Sequence, residues 1–241
     1  MSPITDYASF LRGTAAEVLE IAEGDHLRPL PSRPGQTVAD AMAELSACYE
    51  WAAETLEGRA QAPEHDLTVV PDTVLSDFKA SLNRLLAVLE EHPPSSPAWT
   101  WSPGRDTAAF WHRRCSVITA LTLWDLSMAS GATVPLDQGI AVAAIDEALD
   151  SFLPAGKGLH PVSEAQGLVQ LFAQDADRTW FVRFTDGKVA VLSGEPEAGT
   201  ELQARTAGSA SDLALSLHGR LPFGITDTVG DERLLQRIRV E

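Results

Sequence analysis

The sequence has few cysteines and few basic residues, and both shortages exclude classes of protein. Cys48 and Cys115 are the two cysteines among 241 residues, too few for a disulfide framework, so a reducing cytoplasm is the expected location. Lys and Arg number 18 against 34 Asp and Glu, and the net charge is −16. Because nucleic acids and anionic membranes are bound through clustered basic residues, neither is expected as a partner.

Long apolar runs are also missing from the chain. No stretch approaches the about 18 apolar residues that a membrane-spanning helix needs. The N-terminal segment lacks the basic start and apolar centre of a secretion signal. The hydrophobic content of 44% and charged content of 22% are typical of globular proteins. We therefore expect a cytoplasmic globular protein, and the sequence leaves its oligomeric state open.

Hydrophobic periodicity predicts five helices in the first part of the chain. They cover about 5–23, 37–58, 72–92, 106–131 and 137–152. Thr37 and Asp40 have the spacing of a capping box at the start of the second helix. Pro93 and Pro94 end the third helix because proline removes a donor and clashes with the preceding turn. Four long helices with short or moderate connections predict an up-down bundle.

The periodicity changes to that of strands after about residue 160. Apolar and polar residues alternate over 168–172, 180–184 and 189–192. Asp186-Gly187, between the last two segments, is a strong signal for a two-residue hairpin turn. This pattern predicts a strand-rich segment with a hairpin in the last third of the chain.

A helix is expected at 209–219, and the tail at 231–239 is predicted to be a short charged helix or strand. The change of period predicts two domains, a helical one over 1–152 and an α+β one over 153–241. The expected fold class is therefore α plus α+β.

Three segments carry motifs of a known family. Residues 33–40 read Arg-Pro-Gly-Gln-Thr-Val-Ala-Asp, residues 98–125 combine Ala-Trp-Thr-Trp, Phe-Trp, Arg-Arg and Trp-Asp, and residues 219–222 read Gly-Arg-Leu-Pro, followed by Gly-Asp at 230–231. The order and spacing of these motifs resemble those of mycothiol-dependent maleylpyruvate isomerases, in the DinB-like metalloenzyme superfamily. The resemblance spans nearly the whole chain. It implies a DinB-like four-helix bundle followed by a small sterol-carrier-like α+β domain.

The chain departs from that family at the metal site. Family members bind a divalent metal through a His on the second helix and a Glu-x-x-x-His pair on the fourth. The corresponding residues here are Glu44, Ile118 and Thr122. Isoleucine has no lone pair to donate, and threonine is a poor ligand for zinc. The resemblance thus implies the scaffold without its metal, and no cofactor is expected.

A relocated metal site is an alternative. Cys115 shares a helical face with positions 118 and 122, and Cys48 shares one with Glu44. If these helices face each other, one carboxylate and two thiols form a plausible zinc set. The competing interpretation is that both cysteines are small buried hydrophobic residues.

Glu44 is the candidate catalytic residue. A carboxyl group facing an apolar cavity beside Ile118 is desolvated and is suited to act as a general acid or base. The alternative is that Glu44 pairs with an arginine, such as Arg113 or Arg114, or faces solvent.

Seven further residues are candidates for contacting a ligand. The resemblance implies that Arg220 binds substrate carboxylates across an interdomain cleft, for which a guanidinium is well suited; alternatively it fixes the turn before Pro222. The other candidates line or edge the same cavity: Tyr49, Trp99, Trp101, Thr122, Cys48 and Cys115.

Three functions follow as alternatives. In the first, a metal-free protein binds a small organic molecule with a polar or carboxylate end in an interhelical or interdomain cavity, and Glu44 serves a metal-independent isomerisation or cyclisation. In the second, the protein binds or interacts without catalysis. In the third, it is a divalent-metal, mycothiol-dependent isomerase or thiol transferase with relocated ligands.

Overall fold

The computed structural model describes residues 6–58, 69–160 and 165–240. Within them the chain forms two compact units, one ending at Leu136 and the other beginning at Asp137. The fold is α plus α+β, as predicted. None of the helices in the described residues is long and apolar enough to cross a membrane.

The first unit is the predicted bundle of four helices. They are α1 (Tyr7–Gly24), α2 (Val38–Leu56), α3 (Val74–Glu91) and α4 (Ala109–Ala129). Helix α2 packs on α3 and α4, and α1 packs on α4 and α3. The capping box at the start of α2 is present, with the Thr37 backbone N–H donating to Asp40 Oδ2 at 2.7 Å.

Helix α4 is buried on most of its sides. Two of its buried hydroxyl groups are compatible with this position because they donate to carbonyl groups one turn earlier. Ser116 Oγ donates to the His112 carbonyl oxygen at 2.9 Å. Thr119 Oγ1 donates to the Cys115 carbonyl oxygen at 2.5 Å. The polar residues of α4 are therefore part of the bundle core.

The second unit combines helices with a five-stranded sheet. Its elements are α5 (Gln138–Glu147), a π-helical turn (Ala148–Phe152), β1 (Gly167–Ala173), β2 (Arg178–Thr185), β3 (Lys188–Val191), β4 (Ala204–Gly208), α6 (Ala210–Leu217), a 3₁₀ turn (Phe223–Ile225), β5 (Asp227–Gly230) and α7 (Glu232–Arg237). The strand order is β3-β2-β1-β4-β5. Strands β1 and β4 are parallel, and the other neighbouring pairs are antiparallel.

The three predicted strands are present as β1, β2 and β3. Asp186 and Gly187 connect β2 to β3 with φ values of 50° and 73°, the two positive values that a tight hairpin turn of this type requires. Strands β4 and β5 are not predicted by the sequence, because each is short and neither has a clear apolar alternation.

Helix α5 belongs to the second unit, whereas the sequence places it in the bundle domain ending at residue 152. It packs on α6, and its Asp146 Oδ1 accepts hydrogen bonds from Trp180 Nε1 and Arg178 Nη2, each at 2.8 Å. The boundary therefore lies at Asp137. A helix read from periodicity alone carries no signal for which neighbour its apolar face will contact.

Candidate functional site

The loop that leads into α2 is closed on itself. Pro29 and Thr37 face each other as an antiparallel bridge, and Leu30 N–H donates to the Gln36 carbonyl oxygen at 2.9 Å. Gly35 makes the turn with a φ of 90°, a value that a side chain would disfavour. These contacts hold the residues at the tip of the loop in one arrangement.

The tip of this loop places an arginine and a glutamine on Glu44, near the start of α2. Arg33 Nη2 donates to Glu44 Oε2 at 2.5 Å, and Gln36 Nε2 donates to Glu44 Oε1 at 2.8 Å. The side chains of Arg33 and Glu44 are 24% and 26% exposed. We refer to Arg33, Gln36 and Glu44 as the Arg33 cluster.

The surroundings of Glu44 differ from the apolar cavity expected beside Ile118. Its carboxylate is partly exposed and both of its oxygens are engaged. The alternative interpretation, in which Glu44 pairs with an arginine, describes the structure better. The arginine is Arg33 and is neither Arg113 nor Arg114, the two considered from the sequence.

The Arg33 cluster has hydrogen-bonding capacity left over. Among the described residues, none accepts a side-chain hydrogen bond from Arg33 other than Glu44, so most of its five N–H donors are unused. Gln36 Oε1 is buried without a hydrogen-bond partner in the part of the chain that is described. A fixed cation with open donors is suited to bind an anionic group.

Two hydrogen bonds connect the loop to the end of α4. Ser32 Oγ donates to Asp125 Oδ1 at 2.7 Å, and Arg28 Nη1 donates to Ser130 Oγ at 3.0 Å. The side chain of Asp125 is completely buried, so its position is set by the packing of α4. Both helices that face the loop therefore help to position the Arg33 cluster.

Tyr49 lies deeper in the bundle, between α2 and α4. Its hydroxyl is 2.6 Å from Thr119 Oγ1, and its ring is 5.7 Å from that of Phe78. Because Thr119 uses its single proton on the Cys115 carbonyl, the Tyr49 hydroxyl is the donor of the pair. Burial raises the pKa of Tyr49 well above its usual value. Tyr49 is thus a buried, protonated packing residue.

The residues at the expected metal positions do not fit a metal ion. The described residues contain no group of three or more His, Cys, Asp or Glu that could hold one, so Glu44, Cys48 and Cys115 do not converge as the relocated ligand set requires. Cys115 is fully buried and Cys48 partly so. Thr122 is 3% exposed, and the oxygens of Glu44 are already occupied.

The two loop tryptophans contact residues in the first turn of α4. The Trp101 ring packs edge-on against Phe110 at 5.0 Å, and the Trp99 carbonyl accepts from Trp111 Nε1 at 2.9 Å. Phe110 is in the first turn of α4, and Asp125 lies 15 residues later, a rise of about 22 Å. The expected place of Trp99 and Trp101 in one site with Glu44 stays a prediction.

Arg220 follows α6 in the second unit. Its Nη1 donates to the His218 carbonyl oxygen at 2.8 Å, and its backbone N–H donates to the Leu215 carbonyl oxygen at 2.8 Å. Both contacts are with the end of α6, as expected for an arginine that fixes the turn before Pro222. Its expected contact with a ligand stays a prediction.

Arg33 and Gln36 are the residues of the site that the sequence interpretation does not include. Both lie in the motif at 33–40 that carries part of the resemblance. Two polar side chains in the loop just before the helix of Glu44 are the signal that could have identified them.

The fold and the site define a helical-bundle protein with a second, α+β unit. Two solved structures share that fold. A histidine-to-alanine mutant of a mycothiol-dependent maleylpyruvate isomerase superposes with a TM-score of 0.62 over 94% of this chain and 93% of that chain, at 13% identity. A second structure of the mycothiol-dependent maleylpyruvate isomerase gives 0.62 over 91% and 90%, at 12% identity.

No family model matches the chain, and no curated protein matches it. At 12–13% identity the likeness shows a shared fold. The resemblance found in the sequence is supported at that level.

Proposed function

We propose that this protein binds a small carboxylate-bearing molecule at the Arg33 cluster, without a divalent ion in the bundle. The observation that supports the proposal is a partly buried guanidinium that is held by Glu44 and donates no side-chain hydrogen bond to any other described residue. A guanidinium binds a carboxylate through two parallel, charge-assisted hydrogen bonds. Partial burial strengthens this attraction because less water screens it.

The rigidity of the loop favours binding. Arg33 is positioned before any ligand arrives, by the bridge between Pro29 and Thr37 and by its ion pair with Glu44. A binding group that is already ordered loses less conformational entropy on association. Ser32 adds to this order through its hydrogen bond to the buried Asp125.

An enzyme is the second candidate, in which Glu44 is the general base of a metal-independent isomerisation or cyclisation. The geometry favours a positioning role for Glu44, since Arg33 and Gln36 already occupy both of its oxygens. Glu44→Gln separates the two roles. The glutamine keeps an oxygen for Arg33 but cannot accept a proton at neutral pH. If Glu44 is a general base, the variant should lose turnover and retain ligand binding. If Glu44 positions Arg33, the variant should bind the ligand more weakly.

Calorimetric titration with succinate, maleate and benzoate tests the proposal. We expect binding by the natural sequence and at least about tenfold weaker binding by Arg33→Gln, because a charge-assisted pair contributes about 1.5–3 kcal/mol. Arg12→Gln is the matched control, as Arg12 forms an exposed ion pair with Glu90 in the same bundle; it should bind within about twofold of the natural sequence.

Two results would count against the proposal. One is the absence of binding of all three carboxylates at millimolar concentration. The other is equal binding by Arg33→Gln and Arg12→Gln, which would place any carboxylate site elsewhere.

A further inference from the structure

The buried oxygen of Gln36 is a second feature of the Arg33 cluster. The amide must direct Nε2 toward Glu44, at 2.8 Å, because the opposite orientation would bring two oxygens together. Oε1 is then left buried, with no hydrogen-bond partner in residues 6–58, 69–160 and 165–240. A buried acceptor without a donor is rare in proteins and unfavourable. A molecule that donates a hydrogen bond to this atom removes the unfavourable free energy of the unpaired acceptor, and this gain strengthens its binding.

Arg33 and Gln36 are neighbours in space. Each donates to a different oxygen of the same Glu44 carboxylate, so the guanidinium and the amide flank one small group. A molecule whose carboxylate is bound by Arg33 therefore presents its adjacent atoms to Gln36. Gln36 as a whole is only partly buried, so the residue reaches the surface of the bundle.

We infer that the ligand carries a hydrogen-bond donor, a hydroxyl or ammonium group, next to its carboxylate, and that Gln36 Oε1 accepts from it. This inference rests on the proposed function. Gln36 is then the residue that distinguishes hydroxy or amino acids from plain carboxylic acids. A ligand without the donor leaves Oε1 without a partner, so it binds at least about fivefold more weakly.

Calorimetric titration of the full-length protein with succinate, with each enantiomer of malate and with L-aspartate tests the inference. These dicarboxylates differ mainly in the hydroxyl or ammonium group beside one carboxylate. We expect at least one malate enantiomer or aspartate to bind about fivefold or more tightly than succinate. If a malate enantiomer binds more tightly than aspartate, the preferred donor is a hydroxyl group. If aspartate binds more tightly, the preferred donor is an ammonium group.

Gln36→Met supplies the second arm, because methionine keeps the approximate length of the side chain without its amide. It should reduce the preference over succinate to less than about twofold. Gln166→Met is the matched control, since Gln166 also donates from Nε2 to a carboxylate, that of Asp186, at 3.3 Å on the exposed surface of the second unit; it should retain the preference.

The outcomes separate the inference from the proposed function. If succinate, malate and aspartate all bind with equal affinity, the role of Gln36 is refuted while carboxylate binding stands. The role of Gln36 is also refuted if Gln36→Met keeps the full preference. If none of these dicarboxylates binds, the proposed function fails first. The comparison of ligands on the natural sequence needs no variant, so a poorly folded Gln36→Met leaves the test intact.

Discussion

The hydrogen bond between Tyr49 and Thr119 predicts an asymmetric response to two conservative substitutions. Tyr49→Phe removes the donor, and Thr119 still donates to the Cys115 carbonyl. No buried donor is then left without an acceptor, so we expect a loss of about 1 kcal/mol, the net contribution of one hydrogen bond. Thr119→Val removes the acceptor instead, and the Tyr49 hydroxyl remains in a site with no solvent exposure.

We expect Thr119→Val to cost more, about 2 kcal/mol, because a buried hydroxyl without a partner loses its hydration as well as its hydrogen bond. The double variant should be no less stable than Thr119→Val alone, since replacing both partners by apolar groups leaves nothing unsatisfied. The coupling free energy between Tyr49 and Thr119 is then about 1 kcal/mol or more. This is larger than the deviation from additivity that independent substitutions show.

Urea unfolding, monitored by circular dichroism, measures the free energies if the slopes of the four proteins agree. Thr55→Val is the control. Thr55 lies on α2, is 3% exposed, and its Oγ1 has no hydrogen-bond partner among the described residues, so valine there should be neutral or stabilising. A cost for Tyr49→Phe larger than that of Thr119→Val, or strictly additive effects, would refute the assigned direction of the hydrogen bond.

Three further outcomes follow from the structure. The raised pKa of Tyr49 predicts a contribution to stability that is complete below about pH 10 and is lost as the pH rises through the folded-state pKa. The urea midpoint should therefore fall more at alkaline pH for the natural sequence than for Tyr49→Phe. Equal falls of the two midpoints would contradict this prediction. Gly35→Ala should cost about 1 kcal/mol and weaken carboxylate binding, because φ is 90° although nothing lies within 4 Å of the added Cβ. Gly230→Ala should cost more, because the added Cβ would overlap the Gln203 carbonyl oxygen and φ is 98°. Thermal unfolding measures both costs, and equal effects of the two alanine substitutions would contradict the steric argument.

The helices of the bundle could be predicted because local signals and packing agree. The capping box at Thr37 and the prolines after His92 set boundaries that tertiary contacts do not alter. Strands β4 and β5 could not be predicted, because residues such as Ala204–Gly208 form a strand only when β1 and β5 supply the hydrogen bonds on either side. The position of α5 depends in the same way on a partner, α6, that lies far along the chain.

The candidate site was predicted in part. Glu44 could be identified because it occupies a position of a recognisable motif. Its partner Arg33 depends on the turn at Gly35 and the bridge at Pro29, which are properties of a folded loop. The sequence groups Trp99 with Glu44 because both lie in or near motifs of one family, and this grouping stays a prediction.

The closed loop before α2 has a consequence for how binding preference can change. Since Pro29 and Thr37 pair with each other, the segment between them starts and finishes at one point on the bundle surface. Replacing Arg33–Gln36 while keeping Leu30, which is buried in the hydrophobic core, leaves the helices that anchor the segment in their native register. Under the proposed function, ligand selectivity can therefore be redesigned, or can drift during evolution, without remodelling the hydrophobic interior.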